Sequence, residues 1–522
     1  MTKLRAASGT PSGLLRTGYA RSDGPALAIA DGQERGAPMP ELSTTAVDTI
    51  DDLFQGRIDD GVAPGSFVAV FDREGVLLER GFGAAVLGGP APTADTLFRI
   101  ASCTKSFTSA TLLALRDAGL LDLDAPVERW IPEFRPVVPG GGVGKPTVRQ
   151  LMTMSGGMAT DDPWADRQES ITVEEFTTML RAGVRCVTVP GTAFEYSNLG
   201  YALLGQVIER VSGRSFTAAV TELILQPLGL GAVFERGASG DDATGYRTGP
   251  DGFVELPFSG PGVFSAIGGL FASARTLIAW VRWLDAAWTD DAAPGPLSAA
   301  SRREMQQIHR VAPPRKPADD VPSPEVLGYG FGLFVEQFAD HGAIVSHSGG
   351  YPGFSAHMRW NPASGVGVVA FENAGYAAVS KPASAVLALV LDERAAAAAE
   401  AASAAGEETA GAVKPWRETL VAAMTTTGLI THWDDAIAGA IFAMNVSLDR
   451  PYAERAALIA AAVESIGGFT DEPSSGRPEC DSPDHLVWYM QGRRGRLRCE
   501  VRMTPVLPLR VQTFTVVAEP VE

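Results

Sequence analysis

The chain has 522 residues, and it is short of lysine, cysteine and histidine. Only six of its 43 basic residues are lysines, Lys3, Lys105, Lys145, Lys316, Lys381 and Lys414, so each can be inspected singly. The four cysteines, Cys103, Cys186, Cys480 and Cys499, make no C-x-x-C pair and join no histidine cluster. A zinc site therefore has no support, and no metal or cofactor is expected. Cys480 and Cys499 sit where a hairpin would let them meet, but free buried thiols are the simpler expectation. No run approaches the roughly 18 apolar residues needed to span a bilayer. No apolar segment follows Lys3 and Arg5 as it would in a secretory signal. The expectation is a soluble cytoplasmic protein with no membrane partner. Positive charge is also in deficit: the net charge is −18. That argues against a basic face for tracking phosphates and so against a nucleic-acid partner, while leaving room for a local basic pocket.

What is present is ordinary globular material. Apolar residues make up 45% and charged residues 20%, enough for two or three domains at this length. Residues 1–40 read as a flexible leader, with Met39 as a candidate alternative start. The spacing of Val47, Ile50, Leu53 and Phe54 predicts a helix. Strands at 66–71 and 76–79 around Asp72-Arg73-Glu74-Gly75 predict a hairpin. Helical patterns follow at 103–119, 201–212 and 270–285, then strands at 328–335, 343–346, 354–360 and 366–372 and a helix at 376–393. Strands at both ends of a helical middle imply an α+β domain over 41–394. An Ala-rich linker or exposed helix is expected at 395–414. Residues 415–522 read as a small C-terminal α+β domain, with helices at 417–427, 433–445 and 452–466 and strands at 485–490, 496–503 and 509–517. Its His432 and His485 read as surface or packing residues.

Three places carry chemistry. Ser102 follows an apolar stretch and precedes a helix, where free N–H groups and the helix dipole favour negative charge. Lys105 lies three residues on, on the same helical face, so its amine can reach the serine oxygen. This is the one S-x-x-K in the chain, and burial would lower the amine's pKa. Tyr196 has an Asn two positions later. A phenol facing a lysine cation is expected to have its pKa lowered and to relay protons, and Asn198 is expected to orient the lysine and a substrate amide. His347 heads a strand end, His347-Ser348-Gly349-Gly350, where an imidazole would face a cleft and bare backbone would pass close to substrate. The N–H of Gly350 paired with that of Ser102 would make an oxyanion hole.

S-x-x-K, Y-x-N and H-x-G in this order resemble the penicillin-recognising serine hydrolase superfamily, in its class C β-lactamase, D-alanyl-D-alanine carboxypeptidase, D-aminopeptidase and esterase branch. Gly119-Leu120-Leu121-Asp122, Leu151-Met152-Thr153-Met154-Ser155-Gly156-Gly157, Pro190-Gly191-Thr192 and Gly268-Gly269-Leu270 strengthen the resemblance, which covers about residues 45–395. It implies a five-stranded antiparallel sheet flanked by helices with an all-helical lobe. It also implies Ser102 as nucleophile, Lys105 and Tyr196 as the proton-handling pair, and Asn198, His347, Gly349 and Gly350 around the substrate. His347 stands where β-lactamases of this branch carry a lysine. An imidazole is mostly neutral near pH 7, which points toward esterase and peptidase relatives.

The expected activity is serine hydrolysis of a small ester or amide, with β-lactamase or DD-carboxypeptidase as the alternative and a catalytically silent penicillin-binding-like sensor as another. A rival enzyme reading takes Ser348 as the nucleophile of an α/β-hydrolase elbow, although Ser346 replaces the first glycine of G-x-S-x-G. That fold requires alternating βα units and a later histidine. Trp164, Phe264 and Tyr351 are the expected pocket walls.

Overall fold

The computed structural model describes residues 42–236, 242–289, 295–314, 323–405, 413–470 and 478–520. The expected leader and Met39 lie outside them. The chain divides into two compact units, Met1–Glu393 and Arg394–Glu522.

In the first unit the opening helix α1 (Thr44–Asp59) is started by Ser43, whose hydroxyl accepts from the Ala46 N–H at 3.0 Å. The hairpin strands β1 (Gly65–Phe71) and β2 (Val76–Gly83) follow. The later strands are β3 (Arg310–Val311), β4 (Val326–Tyr329), β5 (Phe334–Phe338), β6 (Gly342–Tyr351), β7 (Phe354–Trp360) and β8 (Gly367–Glu372). They form one antiparallel sheet in the order β2-β1-β8-β7-β6-β5-β4-β3. The α+β class holds, but the sheet has eight strands where the resemblance implied five. Part of the difference is the Gly328–Val335 segment, expected as one strand. It bends at Gly330 and Gly332, the latter at φ +73°, and so supplies two strands. An antiparallel sheet of this kind also removes the α/β-hydrolase frame proposed for Ser348.

The central strands β1, β8 and β7 are buried on both faces, which their alternation explains. On β1, Phe67, Ala69 and Phe71 enter one core while Val68 and Val70 enter the other. The second core is closed by Ile50 and Phe54 of α1 and by Ala383, Val386, Leu387 and Val390 of a later helix. The first core holds the helical lobe, including helices α2 (Thr104–Asp117), α3 (Asn198–Ser212) and α4 (Ala274–Asp285). The later helix, α5 (Ser380–Ala405), runs beyond the expected 393 into the Ala-rich stretch.

The second unit has its own core. Helices α6 (Arg417–Thr431), α7 (Asp435–Ile441), α8 (Met444–Asp449) and α9 (Tyr452–Ser465) accompany a meander of β9 (His485–Gly492), β10 (Gly495–Met503) and β11 (Val511–Pro520). The helix expected over 433–445 is two, because Phe442 is extended at φ −81°, ψ 145°. Leu429, Val446, Leu497, Val501 and Phe514 fill its core. Cys103, Cys186 and Cys499 are buried free thiols. No helix among the described residues is long and apolar enough to cross a membrane.

Candidate active site

Ser102 sits in a single tight turn, Ala101–Cys103, that runs directly into α2. Ala101 adopts φ +46°, a region a side chain disfavours, and two glycines make room for it. A Cβ on Gly349 would lie 2.4 Å from the Ile100 oxygen and 2.9 Å from the Ala101 Cβ; one on Gly268 would lie 3.3 Å from the Ala101 carbonyl carbon. Gly349 is thus bare because β6 crosses the serine turn, not because substrate passes over it. One turn into α2, the Lys105 Nζ donates to the Ser102 Oγ at 2.8 Å and to the Ile267 carbonyl at 3.0 Å. Lys105 is fully buried, and burial lowers its pKa to about 8, against the opposing pull of Asp162, Asp166 and Asp161. The neighbouring Cys103 thiol is pushed up to about 12 by burial, which keeps it protonated and inert.

Tyr196 presents its ring to Lys105, whose Nζ lies 5.1 Å from the centroid. Its phenol interacts with Ser102, yet its pKa is raised well above the ordinary tyrosine value. Burial is the main cause and Asp162 the next, so the expected lowering by lysine is overturned. Asn198 also departs from expectation. Its Nδ2 donates to Asp162 Oδ1 at 2.6 Å, not toward a substrate, and its backbone N–H donates to Asp161 Oδ1 at 2.7 Å as α3 begins. The ammonium of Lys105 is held by Ser102 and Ile267 rather than by Asn198.

His347 lies on β6 with 1% of its surface exposed. Its Nδ1 meets the Ser348 carbonyl at 2.7 Å, and a carbonyl only accepts, so Nδ1 carries a proton. Its Nε2 lies 3.0 Å from the Tyr329 hydroxyl, a group able to donate or accept there. Both ring nitrogens are engaged, and the rings of Tyr196, Tyr329 and Phe334 enclose the imidazole. Ser348, the rival nucleophile, does meet a histidine: its Oγ lies 3.0 Å from His357 Nδ1 on β7.

These groups open on a cleft of about 360 Å³ lined by Ser102, Tyr196, His347, Ser348 and Gly350, and walled by Phe194, Phe334, Leu327, Ala312, Pro313 and Tyr376. Ser102, Lys105, Tyr196, His347 and Gly350 therefore converge as expected, with Gly349 and Asn198 just behind them. The expected walls do not line it. Phe264 is buried between Phe176 and Trp164 in the helical lobe, and Trp164 packs edge-on against it. The Tyr351 hydroxyl donates to Glu169 at 3.0 Å, beneath the Arg99 guanidinium. Sequence reasoning missed Asp162, Asp166, Phe334, Tyr329 and Tyr376. Tyr329 and Phe334 lie inside the glycine-rich segment expected as a strand at 328–335, and Tyr376 at the start of the helix expected at 376–393, but none of them carried a chemical signal in the sequence.

Comparison with known proteins accords with this geometry. The family described as Beta-lactamase matches residues 50–393. A penicillin-binding protein of Bacillus subtilis (strain 168) is 28% identical over 311 residues, 54% of this chain and 62% of the relative. Esterase EstB of Burkholderia gladioli is 36% identical over 181 residues, 31% of this chain and 45% of the relative. The chain thus spans less than two thirds of the length of either relative. Among solved structures, the octameric penicillin-binding protein homologue from Pyrococcus abyssi shares the fold, with a TM-score of 0.57 at 21% identity, covering 90% of this chain and 99% of that one. By its matched residues and its fold, the chain belongs to the beta-lactamase family of the penicillin-recognising serine hydrolases.

Proposed function

We propose that the protein is a serine hydrolase that cleaves a small ester or amide through an acyl-enzyme on Ser102. The observation that carries this reading is the 2.8 Å contact between the Lys105 amine and the Ser102 hydroxyl, with the amine's pKa brought down to about 8 by burial. A neutral amine there can take the serine proton as Oγ attacks the substrate carbonyl. Tyr196, kept protonated by its surroundings, suits the other half of the relay: it gives its proton to the leaving group and is reprotonated through Lys105. The N–H groups of Ser102 and Gly350 serve as oxyanion donors. Water then resolves the acyl-enzyme with the same pair acting in reverse.

Within this class we favour an esterase or D-amino-acid peptidase over a β-lactamase or carboxypeptidase. Substrates of the latter two present a carboxylate, whereas no lysine or arginine among the described residues lines the cleft. Esters need least help at the leaving group, and similarity to an esterase supports that preference. We further propose a cytoplasmic location, residues 41–394 as the catalytic domain and residues 415–522 as an accessory domain.

A fluorophosphonate probe tests the nucleophile. Labelling should fall at least about 1,000-fold in Ser102→Ala and persist in Ser348→Ala. The reverse pattern would move the nucleophile to Ser348, and a wild type that never labels would indicate a silent binding module. Wild type should turn over p-nitrophenyl esters readily and nitrocefin poorly; fast nitrocefin cleavage overturns the esterase preference.

A further inference from the structure

The second unit holds a cavity of about 530 Å³, lined by residues of α8, α9 and β11 and of the turn between the two helices. Its size falls within the range of small-molecule sites. The buried Val446, Ile459 and Phe514 and the half-exposed Leu458 give it apolar walls. Its charged residues are Arg450, Arg455 and Asp449, so the lining is net positive in a chain whose net charge is −18. Three other arginines of this unit meet carboxylates: Arg496 and Glu519 at 2.7 Å, Arg498 and Glu500 at 3.3 Å, and Arg502 and Asp481 at 3.5 Å. Neither Arg450 nor Arg455 makes an ion pair among the described residues. Arg455 instead donates to the carbonyls of Phe514 at 3.1 Å and Val446 at 2.9 Å, and its buried Nε has no hydrogen-bond partner among the described residues. Burial first, and the like charge of Arg450 second, lower the pKa of this guanidinium, and the opposing pull of Asp449 is weaker than either.

An anion held here would offset the repulsion between the two arginines and form charge-assisted hydrogen bonds with them. The strand itself narrows the choice of ligand. β11 pairs with β10 along one edge only, and an open strand edge is where an extended peptide adds. That mode is obstructed here. The Val511 carbonyl is taken by the Ala443 N–H at 2.8 Å, the Gln512 carbonyl by Asn445 Nδ2 at 2.8 Å and the Phe514 carbonyl by Arg455. Two guanidiniums set against one carboxylate also match a single negative charge better than a doubly charged phosphate ester. We propose that this cavity binds a small amphipathic anion, a carboxylate on a short apolar body, with its charge at Arg450 and Arg455 and its body against Leu458, Ile459 and Phe514. All the lining residues belong to the second unit, so the inference is independent of the acyl-enzyme reading.

The test is titration calorimetry on the full chain at pH 7 with octanoate and with octanamide, which has the same apolar body without the charge. Octanoate should bind about tenfold or more tightly than octanamide. Leu458→Asp puts a like charge at an exposed lining position of α9 and should abolish octanoate binding while the thermal midpoint shows the protein folded. Arg450→Gln, also at an exposed position, should weaken octanoate by about threefold. Arg455→Gln should bring octanoate and octanamide to about equal affinity. Because Arg455 also ties α8 to β11, Leu458→Asp and Arg450→Gln keep the test decisive if that variant does not fold. No binding of octanoate, or equal affinity for octanamide in the wild type, overturns the proposal. Binding that survives Leu458→Asp does the same, since octanoate would then be held elsewhere, as in the serine cleft. Inorganic phosphate that displaces octanoate at equal concentration overturns it in favour of a simple anion site. An acetylated pentapeptide of alternating valine and threonine that binds more tightly than octanoate overturns it in favour of strand addition.

Discussion

At the scale of single residues, Lys105 is held between opposing influences, and its titration is open to measurement. Burial pulls the amine down while Asp162, Asp166 and Asp161 pull it up, and the balance lies at about 8. Below that pH the lysine is a cation and cannot take the Ser102 proton. We therefore expect kcat/KM for a neutral ester to climb with a one-proton slope between pH 6 and 8 and to level off above. Lys105→Arg, a permanent cation, should lose that limb and about 1,000-fold or more in rate. Unchanged pH behaviour in that variant would remove the lysine from the role of base. Asp166 gives a second prediction, this time on stability. Its folded pKa of about 6 lies above the ordinary aspartate value. Between the two, the folded protein holds a proton that the unfolded chain has released, so stability falls as pH rises from about 4 to 6. Asp166→Asn should remove this slope and raise stability at pH 7 by about 1–3 kcal/mol, seen as a higher thermal midpoint. The positions of Ser102, Lys105 and Tyr196 were legible because the spacing of each motif is local. The phenol's protonation and the partner of Asn198 were not, because the first depends mainly on burial in the folded chain and the second on Asp162, thirty-six residues away.

At the scale of elements, the site depends on how closely β6 crosses the serine turn. Gly349→Ala would place a methyl group 2.4 Å from a backbone oxygen and 2.9 Å from the Ala101 Cβ, neither of which is a flexible side-chain end. The turn carrying Ser102 must then shift. We expect stability to drop by about 1–3 kcal/mol and fluorophosphonate labelling to slow by about a hundredfold while the fold survives. Labelling at the wild-type rate would mean that the turn accommodates the methyl group. A related approach binds the β4–β5 bend to α2, where a Cβ on Gly332 would lie 2.4 Å from the Lys105 carbonyl oxygen. The elements themselves were readable where periodicity was strong, as in β1, α2 and α3. The bend at 330–333 was not, since a run of alternating glycine and aromatic residues fits an extended strand equally well until something must pack against its bare faces. The helical lobe likewise contains short helices, such as Val148–Met152, too brief for a periodic pattern to show.

At the scale of the whole molecule, every described residue that lines the cleft belongs to the first unit, and the second unit is built around a core of its own. The boundary in the Ala-rich region was visible as a loss of aromatic and β-branched residues, but the continuation of α5 to Ala405 was not, because alanine and glutamate suit an exposed helix and a linker alike. Two separate cores predict two cooperative transitions on heating instead of one. They also predict that a chain ending after Ala405, which keeps α5 whole, retains Ser102 labelling within about threefold of the full-length rate and loses the transition of the second unit. The second unit exposes several apolar side chains, with Met424, Met444 and Leu448 each more than 70% accessible. Removing it should therefore leave the shortened protein no less soluble than the parent. A single transition in the full chain, or a shortened chain that fails to label although it folds, would show that the two units act as one and that the second is required to shape the serine cleft.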